Sequence, residues 1–431
     1  MGNLEMPSCL NCALDCGLED DLSFIWENLS APATGDPDFV QLVNTLVSTL
    51  SQLVRAKHIT TPDDLGKALA ALFDLCVSLE YAKLVTDTDW VYCPATSQHK
   101  EAVLLYPYIK ACPRCAASGQ VVRVESHKPG SDTIGRIAAK TLGVLLSALS
   151  QRTGNTWQVR QTTRQVFDTD MLLFTTEMLA LGEVKASPLA AFPLIAPLER
   201  ELQRRGREDK QQRVARHRKT DLPLAKAGEV SLYLPHAGQR FSIGNPTSEE
   251  YPIRKFRTLY AGSAQAMLGI IQAWRQLYEG YERKWNQDGD DCLRWLTFGC
   301  GGQVDDSKNS PGIDRTDDIK KGVYQMLKLG EHFAARCAKQ AIRVVLLANV
   351  HAVRHHGDYL SGLEDMIWTH EQRLAETDDP AWRKVRVDDW VRLYDAAITF
   401  TKPHFRDPQL AAGFGLETLL ARLGGGTQGE P

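Results

Sequence analysis

The chain has 431 residues, of which 43% are hydrophobic, 24% charged and 8% aromatic. Those are globular proportions in about two to three times the usual domain length, and they exclude a mainly disordered or collagen-like chain. The formal net charge of −3 argues against an evenly basic nucleic-acid binder, but a polyanion touches one face, so only the local distribution of charge decides.

The opening Met1-Gly2-Asn3-Leu4-Glu5-Met6 lacks a basic stretch followed by an apolar one, and Met6 stands where a myristoylation signal has Ser or Thr. The sequence therefore predicts an unprocessed, cytoplasmic protein. The apolar runs Thr141 to Leu149 and Val344 to Val350 fall short of the roughly eighteen residues a spanning helix needs, so no membrane segment is expected.

From Phe39 to Val85 apolar residues recur at helical spacing, with Thr61-Pro62-Asp63-Asp64 as a start signal between two runs. Between Trp90 and Lys128 short segments rich in Val, Tyr and Cys are broken by Pro94, Pro107, Pro113 and Gly119, the pattern of a small loop-and-strand module. Ser131-Asp132 caps a helix whose stripe is Ile134, Ile137, Leu142, Leu145 and Leu149, ended by Thr153-Gly154-Asn155. Thr156 to Ser187 alternates and is rich in β-branched residues, which predicts three strands with breaks near Arg164 and at Thr175-Thr176-Glu177. A basic stretch, Glu199 to Lys219, follows. Helical periodicity resumes from Ala264 to Trp285. The Gly-rich segment Gly299 to Gly312 precedes a capped helix with the stripe Ile319, Val323, Met326, Leu327 and Phe333, and Ile342 to Ala348 suits a buried strand.

Chemistry concentrates in Phe167-Asp168-Thr169-Asp170-Met171-Leu172-Leu173-Phe174 and Leu181-Gly182-Glu183-Val184-Lys185. Side chains alternate along a strand, so Asp168 and Asp170 share a face that a hairpin sets against Glu183 and Lys185. Two carboxylates and a lysine on an otherwise apolar hairpin are costly to bury unless reciprocal pairing or a hard cation compensates them. Mg²⁺ does so with oxygen ligands, and it polarises a phosphate and acidifies a bound water.

Ten cysteines are too sparse for a disulfide scaffold, and Cys76, Cys292 and Cys337 read as core residues. Cys112-Pro113-Arg114-Cys115 has the spacing of a zinc knuckle, which Cys93 and His99 complete as a tetrahedral set; His127 or Cys9, Cys12 and Cys16 are alternative sources of a ligand. Arg204, Arg205, Arg207, Arg213 and Arg216 in the basic stretch are candidate phosphate contacts. Arg240, Asn245, Arg254, Lys255 and Arg257, among Gly, Pro and aromatics, include the residue types that read G and A edges. His351, His355 and His356 follow the buried strand and are weaker candidates for metal or phosphate.

The order helix, three strands, helix, strand, with acids and lysine on the hairpin, resembles the PD-(D/E)xK nuclease superfamily, specifically type II restriction endonucleases, with a closer likeness to ApaLI-type enzymes. The resemblance covers about Asp132 to Pro188 and Asp314 to His351 and implies a mixed sheet flanked by helices. It also implies that Asp170 and Glu183 hold Mg²⁺ with a backbone carbonyl, and that Lys185 positions the attacking water. Thr169 stands where the motif often has Pro, and Asp168 is a substitute for Asp170. Residues 1–89 are then a helical N-terminal region, 90–130 a zinc-binding module, 131–198 the first part of the catalytic core and 199–310 a basic recognition insertion. Residues 311–358 complete the core, and 359–431 form a C-terminal helical region with a disordered tail. The implied activity is Mg²⁺-dependent cleavage of double-stranded DNA at a specific site by a homodimer, alongside a cognate DNA methyltransferase. A zinc-containing DNA-binding regulator without catalysis and a repair nuclease of the same superfamily are the competing expectations.

Overall fold

The structure, a computed structural model, describes residues 18–85, 90–91, 93, 101–104, 131–166, 169–190, 192–197, 216–217, 228–234, 239–286, 311–314, 316–334, 342–363, 368–369, 390–391 and 394–425. Helix α1 (Glu19–Glu27) leads into the short strand β1 (Leu29–Ser30). Helix α2 (Pro37–Arg55) starts where Asp36 accepts the Phe39 N–H at 3.2 Å and Pro37 fills the first turn. It buries Phe39, Leu42, Val43, Leu46, Leu50 and Leu53 as expected from their spacing. Helix α3 (Pro62–Val85) is apolar on nearly every side, which suits only a helix enclosed by others.

Strands β2 (Trp90–Val91) and β3 (Glu101–Leu104) come next, then α4 (Ser131–Arg152). Gly154, at φ +60°, supplies the left-handed residue that ends α4. By length and mean hydropathy (1.2) the stretch Asp132–Arg152 passes for a membrane span, against the expectation from shorter apolar runs, but 72% of its most apolar part is buried in this protein's own core.

The three expected strands are β4 (Gln158–Val166), β5 (Thr169–Phe174) and β6 (Leu179–Val184). They form an antiparallel meander with Leu172 paired to Leu181. The break expected near Arg164 falls slightly later, between Val166 and Thr169. Strand β4 runs on to Val166, and the pairing shift between Gln161 and Val166 absorbs the irregularity as a bulge would.

Strands β7 (Leu194–Pro197), β8 (Arg216–His217), β9 (Val230–Leu234) and β10 (Gln239–Gly244) follow, then α5 (Ile253–Phe256), a π-helical turn over Arg257–Ala261 and α6 (Ala264–Asn286). Strands β3, β7, β9 and β10 make a separate four-stranded antiparallel sheet, and β2 pairs with β8. Strands β2 and β3 are thus tied by backbone ladders to β8, within the basic stretch, and to β7, just before it.

Helix α7 (Thr316–Leu329) precedes β11 (Ile342–Leu347). After α8 (His356–Tyr359) come β12 (Trp368–Thr369), β13 (Trp390–Val391), β14 (Ala396–Ile398), β15 (His404–Phe405), α9 (Pro408–Phe414) and α10 (Leu416–Gly424). The central sheet is mixed and seven-stranded, in the order β1-β4-β5-β6-β11-β14-β15, with β6, β11 and β14 parallel.

Alternation divides this sheet between two cores. Met171, Leu173, Ala180, Val345 and Leu347 face α2, α3, α4 and α6. Leu172, Phe174, Leu181, Val344 and Leu346 face α1 and α7 through Leu22, Ile25, Ile319 and Met326. At the rim of that second core Trp26 meets Phe174 edge-on at 5.1 Å, and His332 lies 2.7 Å from Asp21.

Candidate active site

The register that pairs Met171 with Gly182 sets Asp170 across from Glu183, on the face of the sheet covered by α7. Gly182 makes this close packing possible, since a Cβ there would lie 2.8 Å from Leu347 Cδ1 and 3.1 Å from the Met171 carbonyl oxygen. Asp170 Oδ2 accepts the Val184 N–H at 2.9 Å, so its carboxylate leans over the partner strand. From the other side Thr162 Oγ1 donates to the carbonyls of Thr169 at 2.9 Å and Asp170 at 3.2 Å, fixing the backbone under the acid.

Glu183 is only 2% exposed, and its Oε1 is paired with Lys185 Nζ. Burying that carboxylate without a partner would cost several kcal/mol, and the lysine supplies the opposite charge within two residues along one strand. Lys185 is held as a strand residue because its N–H donates to the Leu347 carbonyl at 2.9 Å, extending the β6–β11 ladder by one step. Its stem passes α7 at Gly322, where a Cβ would sit 3.2 Å from Lys185 Cγ and 3.1 Å from Leu346 Cδ1.

Asp170, Glu183 and Lys185 therefore come together as the alternation predicts. The donor set is hard oxygen, which fits Mg²⁺ or a similar cation. Among the described residues no group of three or more His, Cys, Asp or Glu gathers as a metal site. A cation at Asp170 and Glu183 would need backbone, water or substrate oxygens to complete its shell. Asp168 lies outside the described residues.

Of the other candidates, only some lie among the described residues. Cys93 is 1% exposed and its N–H donates to the Val103 carbonyl at 3.0 Å, which seats it beside β3. His99, Cys112 and Cys115, and the alternatives Cys9, Cys12, Cys16 and His127, lie outside the described residues, as do Arg204, Arg205, Arg207 and Arg213. Arg216 is the β8 partner of Val91. Arg240 grips Glu101 through two hydrogen bonds of 2.5 and 3.1 Å. Arg254 and Arg257 both reach Asp38 in the first turn of α2, at 2.6 and 3.3 Å. Asn245 Oδ1 accepts the Thr247 N–H at 2.9 Å and closes a turn, and the Lys255 stem packs beside Gly244. The guanidinium groups of Arg240, Arg254 and Arg257 are engaged by the chain's own carboxylates, so a DNA phosphate or base would have to exchange for them.

The rings of His351 and His356 lie 4.6 Å apart just beyond β11. Burial, with the charges of His356 and Lys402, pushes His351 down to about 3, so it is neutral at physiological pH. His355 Nε2 lies 3.3 Å from Thr316 Oγ1 at the start of α7.

Sequence reasoning passed over Asp74, Asn349 and Asp314. Asp74 is fully buried in α3, and desolvation pushes its carboxyl up to about 8 against the hydrogen bonds from Ala190, Trp274 and Asn349. Asp314, also buried and raised, takes hydrogen bonds from Tyr281 Oη and from the N–H groups of Arg354 and His355 at 2.8 and 3.0 Å. The available signal for Asp74 was a lone acid in Leu72-Phe73-Asp74-Leu75-Cys76, a helix with no polar face. No protein-family model, curated protein or solved structure matches the chain.

Proposed function

We propose that the protein is a sequence-specific endodeoxyribonuclease of the PD-(D/E)xK superfamily, a type II restriction enzyme that hydrolyses phosphodiester bonds in double-stranded DNA with Mg²⁺. The observation that carries this reading is Asp170 facing Glu183 across a hairpin, with Lys185 on the same acid. The succession α4, β4, β5, β6, α7, β11 supports it further, with α4 and α7 on opposite faces and β11 parallel to β6.

In this reading Asp170 and Glu183 hold the cation, which supplies Lewis-acid charge to the scissile phosphate when bound. Lys185, released from its pairing with Glu183, holds a water for in-line attack and places positive charge beside the phosphate oxygens. Glu183 is so buried that its carboxylate calls for a compensating cation, which Lys185 or a bound metal would provide. The homodimer, the methyltransferase partner and zinc at Cys93, His99, Cys112 and Cys115 belong to the same proposal. So do the DNA contacts from the basic stretch and from Arg240, Asn245, Arg254, Lys255 and Arg257.

The test is incubation with unmethylated phage DNA with and without Mg²⁺, beside Lys185→Ala, followed by sequencing of the ends. Discrete metal-dependent fragments, absent with the variant, are expected. DNA binding without cleavage in any metal would instead favour a regulator, whose reading rests on the Glu183–Lys185 ion pair as a purely structural contact.

A further inference from the structure

Where the β6–β11 ladder ends, a side chain takes over from the backbone. The last main-chain bond runs from the Lys185 N–H to the Leu347 carbonyl at 2.9 Å. Two residues further along each strand, the Asn349 amide does what a strand peptide would do. Its Nδ2 donates to the Ser187 carbonyl at 2.8 Å, and its Oδ1 accepts the Ser187 N–H at 3.3 Å. The Ser187 carbonyl also accepts the Gly312 N–H at 2.9 Å, from the loop that leads into α7. Gly312 has φ +55°, and a Cβ there would fall 2.4 Å from the Val350 carbonyl oxygen, so that loop is pressed against the end of β11.

The amide of Asn349 has its own support. It is fully buried, and Nδ2 lies 3.4 Å from Asp74 Oδ1. Asp74 Oδ2 meanwhile accepts the Ala190 N–H and the Trp274 indole N–H, both at 2.7 Å. The Ser187 N–H and carbonyl together require Oδ1 and Nδ2 of Asn349 in this order, and Asp74 Oδ1, with or without its proton, keeps a lone pair for the same Nδ2. The arrangement carries a desolvation penalty that an apolar residue in α3 would avoid. It joins the chain after β6, the chain after β11 and α6 of the 199–310 segment.

We infer that Asn349 is a positioning residue for Lys185, and that Asp74 braces its amide from behind. This rests on the nuclease reading above. Lys185 is then held from three sides: by Leu347 on its own N–H, by Asn349 two residues downstream, and by Gly322 against its stem.

The test compares wild type, Asn349→Ala, Asp74→Asn, Asn349→Asp and the exchanged pair Asp74→Asn with Asn349→Asp. The readouts are single-turnover DNA cleavage with Mg²⁺, DNA affinity in Ca²⁺ and the labelling rate of each lysine by an amine reagent. Asn349→Ala should cut about 100-fold more slowly with unchanged DNA affinity, since displacement by an ångström is enough for such a loss. Lys185 should label severalfold faster while the exposed Lys57 does not change. The exchanged pair restores a donor and an acceptor at the same contact, and it should recover much of what either single change loses. Trp274→Phe, which removes only the indole donor, gives a milder version if Asn349→Ala does not fold. Unchanged Lys185 labelling in a folded Asn349→Ala or Trp274→Phe would overturn the inference. So would a cleavage loss that merely follows DNA affinity or thermal unfolding. A wild type that cuts no DNA defeats the nuclease reading instead, and the labelling rates then decide the positioning role by themselves.

Discussion

Asp170 Oδ2 accepts the backbone N–H of Val184 at 2.9 Å, the residue between Glu183 and Lys185. One acid thus hydrogen-bonds the strand segment that carries the other two groups. The site is a cross-strand unit, and its members should fail in different ways when changed.

Removing Lys185 leaves Glu183 buried without its ammonium partner. Lys185→Ala should destabilise the metal-free protein by about 3 kcal/mol and lower cleavage by about 100-fold or more. Glu183→Gln removes the buried charge while keeping the shape, so it should abolish cleavage with a melting temperature equal to or above that of wild type. Denaturant titration beside single-turnover cleavage separates the two. A destabilised Glu183→Gln would contradict the electrostatic account.

Gly322 lies where a methyl group would press on both Lys185 Cγ and Leu346 Cδ1, at 3.2 and 3.1 Å. Alanine gains about 0.5–1 kcal/mol of helix propensity and loses a similar amount to that crowding. Gly322→Ala is therefore expected to melt near wild type but to cut more slowly, because the lysine stem is displaced. Gly135→Ala, on an exposed face of α4 with nothing within 4 Å, should stabilise and leave cleavage unchanged. Melting curves and rates for the two alanines check the contrast.

The stability of the protein should peak in mildly acidic solution. Burial raises Asp74 from 3.8 to about 8, so the stability linked to its proton is full below pH 3.8 and lost as pH climbs through 8. His351 is lowered from 6.5 to about 3, and its contribution is full above pH 6.5 and lost as pH falls through 3. Asp36 works against desolvation through hydrogen bonds from Lys140 and Lys83, which hold it at about 2; its contribution is full above pH 3.8 and fades toward 2. Between 3.8 and 6.5 the Asp74 and His351 slopes oppose, so a plateau is expected there, with decline on both sides. Urea unfolding from about pH 3 to pH 9 tests this. Asp74→Asn should flatten the alkaline limb and His351→Gln the acid one.

Zinc at Cys93, His99, Cys112 and Cys115 predicts about one equivalent of metal in protein purified without chelator, by the four-ligand stoichiometry of structural sites. Cys112→Ser should lose it. Elemental analysis of both proteins decides the matter, and a metal-free wild type with full thermal stability would remove zinc from the description.

Much of the architecture was legible in local pattern. The helices α2, α3, α4, α6 and α7 follow from 3.6-residue spacing and their start signals, and the buried strand β11 from its apolar run. The grouping of Asp170, Glu183 and Lys185 also follows from the sequence, because strand alternation has a period of two and a short hairpin leaves one way to bring the faces together. What the sequence could not contain was the partnership of residues far apart in the chain. Asn349 and Ser187 are separated by 162 positions, and Asp74 and Trp274 by 200, and neither pair has a local signature. The continuation of β4 past Arg164, the ladder of β3 with β7, and the capture of Arg240, Arg254 and Arg257 by Glu101 and Asp38 were likewise settled only by packing. Periodicity reports which way a side chain points relative to its own element. Which polar group it meets there depends on how the layers stack, since a buried donor or acceptor must find its partner in whatever element the fold brings alongside.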